Sequence, residues 1–361
     1  MPILWKYLLK SYFQFFTLCN SGFVGVLLVI RFQEIAQFAS SGAGIKHIAL
    51  FSLYQIPYIL PIAIPISCLI ASMILFQRMS FFLEFTALRA CGIAIKSIAA
   101  PLLISSIVLC VINFSIASEI TPITRTKAKH LMYEIVQENP LILMQKDSML
   151  GLKKAEFDLK KLKLGKKAEE VLCIMRQSSG HRIGLFTAKE FSTNGDFLVG
   201  KDISILSTFD AEKEGYDHLV IENQKNMKIN KQELTSHLLK TEWFTKDDLL
   251  NLKGILTKFK LDESPFPSKS FLEILRRTFL GLCPFTFTLI GISFGTNIGR
   301  FRKKTPILTA FFLASLIMIC FVATKTLQKF ALLSFLLYLI PQPLAAIISI
   351  KSLISSSKGV E

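Results

Sequence analysis

The chain has 361 residues, a formal net charge of +16, a mean hydropathy of +0.47 and 19% charged residues, fewer than the roughly 25% of soluble domains. These values exclude a purely soluble protein. The 51% hydrophobic content with 31 Phe excludes disorder, and seven Cys spread thinly over the chain exclude a disulfide scaffold.

The charge is concentrated in one block. Residues 119–277 hold 27 of the 42 Lys and Arg and 23 of the 26 Asp and Glu, which leaves 15 basic and three acidic residues elsewhere. A soluble-looking block is therefore embedded between two membrane-like blocks. A helix needs about 20 apolar residues to cross a bilayer core of about 30 Å. Six uncharged stretches meet this length: Ser11 to Ile30, Ile48 to Gln77, Ser97 to Ser118, Thr278 to Gly299, Thr305 to Thr324 and Phe330 to Ile350.

In chain order, the first stretch is long for a signal-peptide core and ends at Arg31 without a small-residue cleavage site, so it reads as a retained helix. The second is longer than a perpendicular helix needs and contains Pro57, Pro61 and Pro65, four residues apart and near one helical face. Each Pro removes a backbone donor and crowds the carbonyl four residues earlier, so kinks are expected. They serve gating, or reflect the general frequency of Pro in membrane helices.

The following loop reads Glu84-Phe85-Thr86-Ala87-Leu88-Arg89-Ala90-Cys91-Gly92-Ile93. On a helix spanning 80–92, Phe81, Phe85 and Leu88 share one face, Glu84 and Arg89 flank it, and Gly92 can end it in a left-handed cap. Such a helix either lies on lipid headgroups or inserts into a groove of a soluble partner.

After the third stretch, residues 119–139 keep a helix-compatible composition up to Pro140, as a membrane helix extended into water. Val171 to Met175, Ile183 to Thr187, Phe197 to Leu206 and His218 to Glu222 then read as strands joined by turns, hence a β-sandwich or jelly-roll-like unit. Gly195 to Lys201 has the spacing of a phosphate-binding loop. Asp202, however, stands where Ser or Thr would hold magnesium, and the flanks are strands, so a β-turn is the better reading. Thr245 to Phe259 has helical spacing with Thr245 as N-cap, and Ser264-Pro265-Phe266-Pro267-Ser268 breaks the chain before it re-enters the membrane.

Lys and Arg in short loops mark the cytoplasmic side. With the N-terminus inside, Lys6, Lys10, Arg78, Arg89, Lys96, Arg300, Arg302, Lys303, Lys304, Lys351 and Lys358 lie inside. Only Arg31, Lys46, Lys325 and Lys329 lie outside. Both termini are then cytoplasmic, and the large block is external, between the third and fourth helices. Cys173 is the only cysteine of that block, so no disulfide can close within it. The five His are scattered, no HExxH or CxxC occurs and the spans contain no carboxylate, which points away from an enzyme, a metal site or a proton-coupled carrier.

The Glu84 to Ile93 run, in a cytoplasmic loop after a Pro-containing second helix, resembles the lipopolysaccharide-export permease family of LptF and LptG (YjgP/YjgQ) type. The resemblance extends over essentially the whole chain: six helices, a large insertion after the third and a basic loop after the fourth. It implies a polytopic α-helical membrane protein with a periplasmic β-jelly roll at 119–277, between membrane blocks 1–118 and 278–361. It also implies an inner-membrane location and a non-catalytic subunit that binds no cofactor or metal, with ATP and magnesium held by a dimeric cytoplasmic ATPase. The other implied partners are a paralogous permease, a single-span periplasmic jelly-roll protein and lipopolysaccharide, with no nucleic acid.

By the same resemblance, Phe81, Glu84, Phe85, Leu88, Arg89 and Gly92 dock on the ATPase, and Arg31 matches a basic position that contacts the glycolipid. Lys46, Arg276, Arg277, Lys325 and Lys329 are further outer-face candidates by topology, each also readable as an ordinary snorkelling anchor. The alternatives are a membrane subunit of another ATP-driven exporter or a membrane-bound glycolipid-modifying enzyme.

Overall fold

The computed structural model describes residues 2–40, 44–138, 155–163, 167–176, 183–194, 197–209, 218–230, 249–261, 268–296, 305–327 and 330–358. Among the described residues, six helical segments are long and apolar enough to cross a membrane. The first is α1 (Pro2–Ile30), followed after Arg31 by the short α2 (Phe32–Ser40). The second is α3 (Ile45–Phe81), one continuous helix through all three prolines. After the short α4 (Glu84–Ala90), α5 (Ile95–Ser115) runs through a π-helical turn (Ile116–Ile120) into α6 (Thr121–Glu138), as the composition of 119–139 predicts.

The return segment carries α7 (Leu252–Leu261), which begins seven residues after the expected Thr245. Thr245 itself lies outside the described residues. Next comes α8 (Lys269–Gly295), whose N-cap Ser268 accepts a hydrogen bond from the Phe271 N–H. It starts nine residues earlier than the uncharged stretch, so the Arg276–Arg277 pair is helical. The fifth span is α9 (Thr305–Thr326). The sixth is one span, as expected, with a bend at Ile340 between α10 (Ala331–Leu339) and α11 (Pro341–Lys358), where Pro341 supplies no backbone donor.

Two units are distinct. The first comprises residues 1–30, 55–125 and 247–361. Its hub is α3 and α8, whose most apolar windows are 72% and 78% buried, against 6% for α1. Glycines permit this packing: a Cβ at Gly291 would lie 1.9 Å from the Ser72 hydroxyl, and one at Gly281 would lie 2.9 Å from Phe114 Cβ. One core cluster joins α1 (Leu8, Tyr12), α3 (Leu75, Phe76), α4 (Phe85) and α5 (Ile98, Leu102); a second joins α3, α8, α9, α10 and α11.

The second unit, residues 31–54 and 126–246, contains an antiparallel sheet. Its strands are β1 (Ala155–Lys163), β2 (Lys167–Arg176), β3 (Ile183–Asn194), β4 (Phe197–Phe209) and β5 (His218–Asn230), in the order β1-β2-β3-β4-β5. The predicted strands all fall within β2 to β5. β1 was missed, although Ala155, Phe157 and Leu159 alternate with charged residues. The paired Asn194 and Phe197 make the phosphate-loop lookalike a hairpin, with strand on both sides. Ala168, Val171, Ala188, Phe191, Leu198 and Ile203 form the core of the sheet. Glu170 and Asp202 have left-handed φ of 52° and 49° and interrupt the ladders on either side of Lys189.

Candidate functional site

The loop between α3 and α5 has a geometry different from a single helix over 80–92. Phe81 is the last residue of α3, and the chain turns through Phe82 and Leu83, with Leu83 at φ 57°. A leucine in that region is strained, since its Cβ crowds the neighbouring carbonyl. Helix α4 then starts at Glu84, and its Ala87 N–H bonds back to Leu83 O. At the other end, the Ile93 N–H bonds to Leu88 O and the Gly92 N–H to Arg89 O, with Gly92 at φ 78°. This is the paired 6→1 and 5→2 closure of a Schellman cap, which requires a residue tolerant of positive φ at the Gly92 position.

The tertiary structure separates the three residues that a continuous helix would place on one face. Phe85 is 2% exposed, with its ring centroid 5.3 Å from that of Phe76, and Leu88 packs on the same cluster. Phe81, Phe82 and Leu83 are instead exposed, at 75%, 62% and 62%. The apolar knob offered to the surroundings is therefore the α3–α4 turn, while Phe85 and Leu88 anchor α4 to the membrane bundle. Glu84 Oε1 accepts a hydrogen bond from the Tyr7 hydroxyl of α1 at 3.4 Å, a partner that sequence did not suggest. Arg89 is half-buried and Gly92 exposed.

The outer-face candidates fall into different environments. Arg31, at the turn between α1 and α2, pairs with Glu34 and is partly exposed. Lys46 is exposed in the first turn of α3. Arg276 forms a bidentate pair with Glu273, through Nε at 2.7 Å and Nη2 at 2.5 Å. Arg277 is only 1% exposed. Its Nε donates to Glu273 Oε1 at 2.9 Å, Nη1 to Ser118 O at 3.0 Å and Nη2 to Leu250 O at 2.8 Å. Its fork thus ties α8 to the π-turn and to the segment before α7, a structural clamp rather than an open cation. Lys325 lies near the end of α9, and Lys329 is outside the described residues.

Between α1 and α5 lies an apolar groove of about 300 Å³, lined by Trp5, Leu9 and Phe13 on one side and Pro101, Ile104 and Ile112 on the other. Such a lining suits acyl chains. Among the described residues no group of three His, Cys, Asp or Glu could hold a metal ion, and Cys19, Cys68, Cys91, Cys110, Cys283 and Cys320 are free thiols.

Six membrane helices, an inserted antiparallel sheet and a short capped helix between the second and third spans define a permease-type membrane subunit. The sequence profile of the family described as Lipopolysaccharide export system permease LptF/LptG matches residues 6–355, and the chain belongs to that family. It is a non-catalytic, multi-pass permease of the lipopolysaccharide export system. No curated protein matches the chain.

Proposed function

We propose that this permease sits in the inner membrane with both termini cytoplasmic and its inserted sheet periplasmic, and works beside a paralogous permease. A dimeric cytoplasmic ATPase supplies ATP and magnesium, and α4 with the preceding turn is its docking element. ATP-driven displacement of that element moves the membrane helices. Lipopolysaccharide taken from the outer leaflet is then passed to a single-span periplasmic jelly-roll protein. Arg31 and Lys46 supply positive charge for the anionic headgroup.

The observation that carries this reading is the two-sided character of the loop. Phe85 is locked into a cluster that also contains α1, α3 and α5, while Phe81, Phe82 and Leu83 stand free beside it. A push on the exposed turn is thereby delivered to three membrane helices. A helix merely resting on lipid has no need of such an anchor.

The test is co-expression with the paralogous permease and the ATPase. Glu84→Lys reverses charge beside the knob and removes the acceptor for Tyr7, so ATPase copurification should fall at least tenfold while the two permeases remain associated. Undiminished copurification would assign the loop to the lipid surface instead.

A further inference from the structure

Proline removes the backbone donor that a helix would supply to the carbonyl four residues earlier, and inside a membrane no water replaces it. In α3, Pro61 frees the carbonyl of Pro57 and Pro65 frees that of Pro61; in α8, Pro284 frees that of Leu280. All three carbonyls find side-chain donors from one neighbouring segment. Thr121 Oγ1 donates to Pro57 O at 2.8 Å. A single amide serves the other two: Asn113 Nδ2 donates to Pro61 O at 3.3 Å and to Leu280 O at 2.7 Å.

Asn113 is fully buried, and the reverse amide orientation would set an oxygen against both carbonyls, so the observed arrangement is the one electrostatics permits. The surroundings reinforce it. Gly281 gives α5 close access to α8, and Gln342 of α11 donates to Phe279 O at 2.7 Å, beside the same break. The segment bearing Asn113 and Thr121 is itself interrupted by the π-turn at Ile116–Ile120. The proline-freed carbonyls of α3 and α8 are thus both held by side chains that flank the π-turn.

An unbroken helix resists bending because its hydrogen-bond ladder must stretch; a proline break bends more easily, and an external donor that moves with it keeps the freed carbonyl satisfied. We propose that Asn113 is a positioning residue for transport. By holding the freed carbonyls of α3 and α8 on one side chain, it makes the two helices bend together at Pro65 and Pro284 when α4 is displaced. This inference rests on the transport reading above.

The experiment uses the full chain reconstituted with its paralogous permease and ATPase in lipopolysaccharide-containing proteoliposomes. It compares thermal midpoint, ATP hydrolysis and lipopolysaccharide released per ATP. The unmodified complex tests the transport reading itself, since no release there would sink that reading whatever the variants do. Pro65→Ala/Pro284→Ala restores both backbone donors while keeping Asn113. It should fold and hydrolyse ATP normally yet release at least tenfold less glycolipid per ATP, because the helices no longer bend at these points.

Asn113→Leu should lower both the thermal midpoint and the release per ATP. Adding Pro65→Ala and Pro284→Ala to Asn113→Leu should recover the midpoint but not the release. Wild-type release per ATP in the proline double variant would overturn the proposal, as would recovery of release in the triple variant. Should Asn113→Leu fail to assemble, the proline double variant decides the question alone.

Discussion

Arg277 illustrates how far one guanidinium can be from the role its sequence position suggests. Placed by topology near the outer end of a span, it reads as a cation for an anionic headgroup. In the fold it is buried, and its fork is shared among Glu273, Ser118 O and Leu250 O. Removing it takes a donor from two carbonyls and one of the three hydrogen bonds that Glu273 accepts, a loss of about 3 kcal/mol. Arg276 shares the same Glu273 but is 22% exposed, and loss of such a pair costs about 1 kcal/mol or less. Arg277→Met should therefore lower the thermal midpoint of the detergent-purified permease clearly, whereas Arg276→Met should shift it little. Equal shifts would mean that the Ser118 and Leu250 bonds contribute nothing. No local pattern separates these adjacent arginines, because the difference lies in chain segments far away in sequence.

Helix α4 shows the same division one level up. Its end at Gly92 is legible in sequence, since a glycine after an amphipathic run is a left-handed cap in waiting, and φ there is 78°. Its start is not legible: Phe81 to Leu88 keep helical spacing, yet Leu83 turns left-handed and separates Phe81 from Phe85. The bundle decides this by offering Phe76 as a ring partner for Phe85, within a cluster shared by α1, α3 and α5. Two substitutions read the outcome. Phe85→Ala empties a buried ring site at a cost of about 3–5 kcal/mol and should reduce the yield of folded protein. Phe82→Ala, on an exposed ring, should leave folding intact and weaken ATPase copurification. Reversal of these two effects would place the docking face on the other side of α4. The bend at Ile340 within the last span is not legible for a related reason: Pro341 sits in an otherwise unbroken apolar stretch, and apolar length does not report one missing backbone donor.

At the scale of the molecule, the proposed orientation makes a direct labelling prediction. Cys91 is an exposed thiol beside Gly92, on the side assigned to the cytoplasm. A charged, membrane-impermeant thiol reagent should leave it unmodified in spheroplasts and modify it in inverted vesicles, read by mass spectrometry. Modification in spheroplasts would invert the topology. The six spans and the position of the insertion were determined by sequence. Apolar length and the placement of Lys and Arg act residue by residue against the bilayer, without reference to partners in the fold. Which spans form the hub, which aromatic rings are left outside and which donors meet the proline-freed carbonyls were decided only by tertiary structure. Those outcomes depend on residues 77 apart for Tyr7 and Glu84, 159 for Arg277 and Ser118, and 167 for Asn113 and Leu280. Buried hydrogen bonds must be satisfied by whatever packing brings near, and no one-dimensional pattern encodes that proximity.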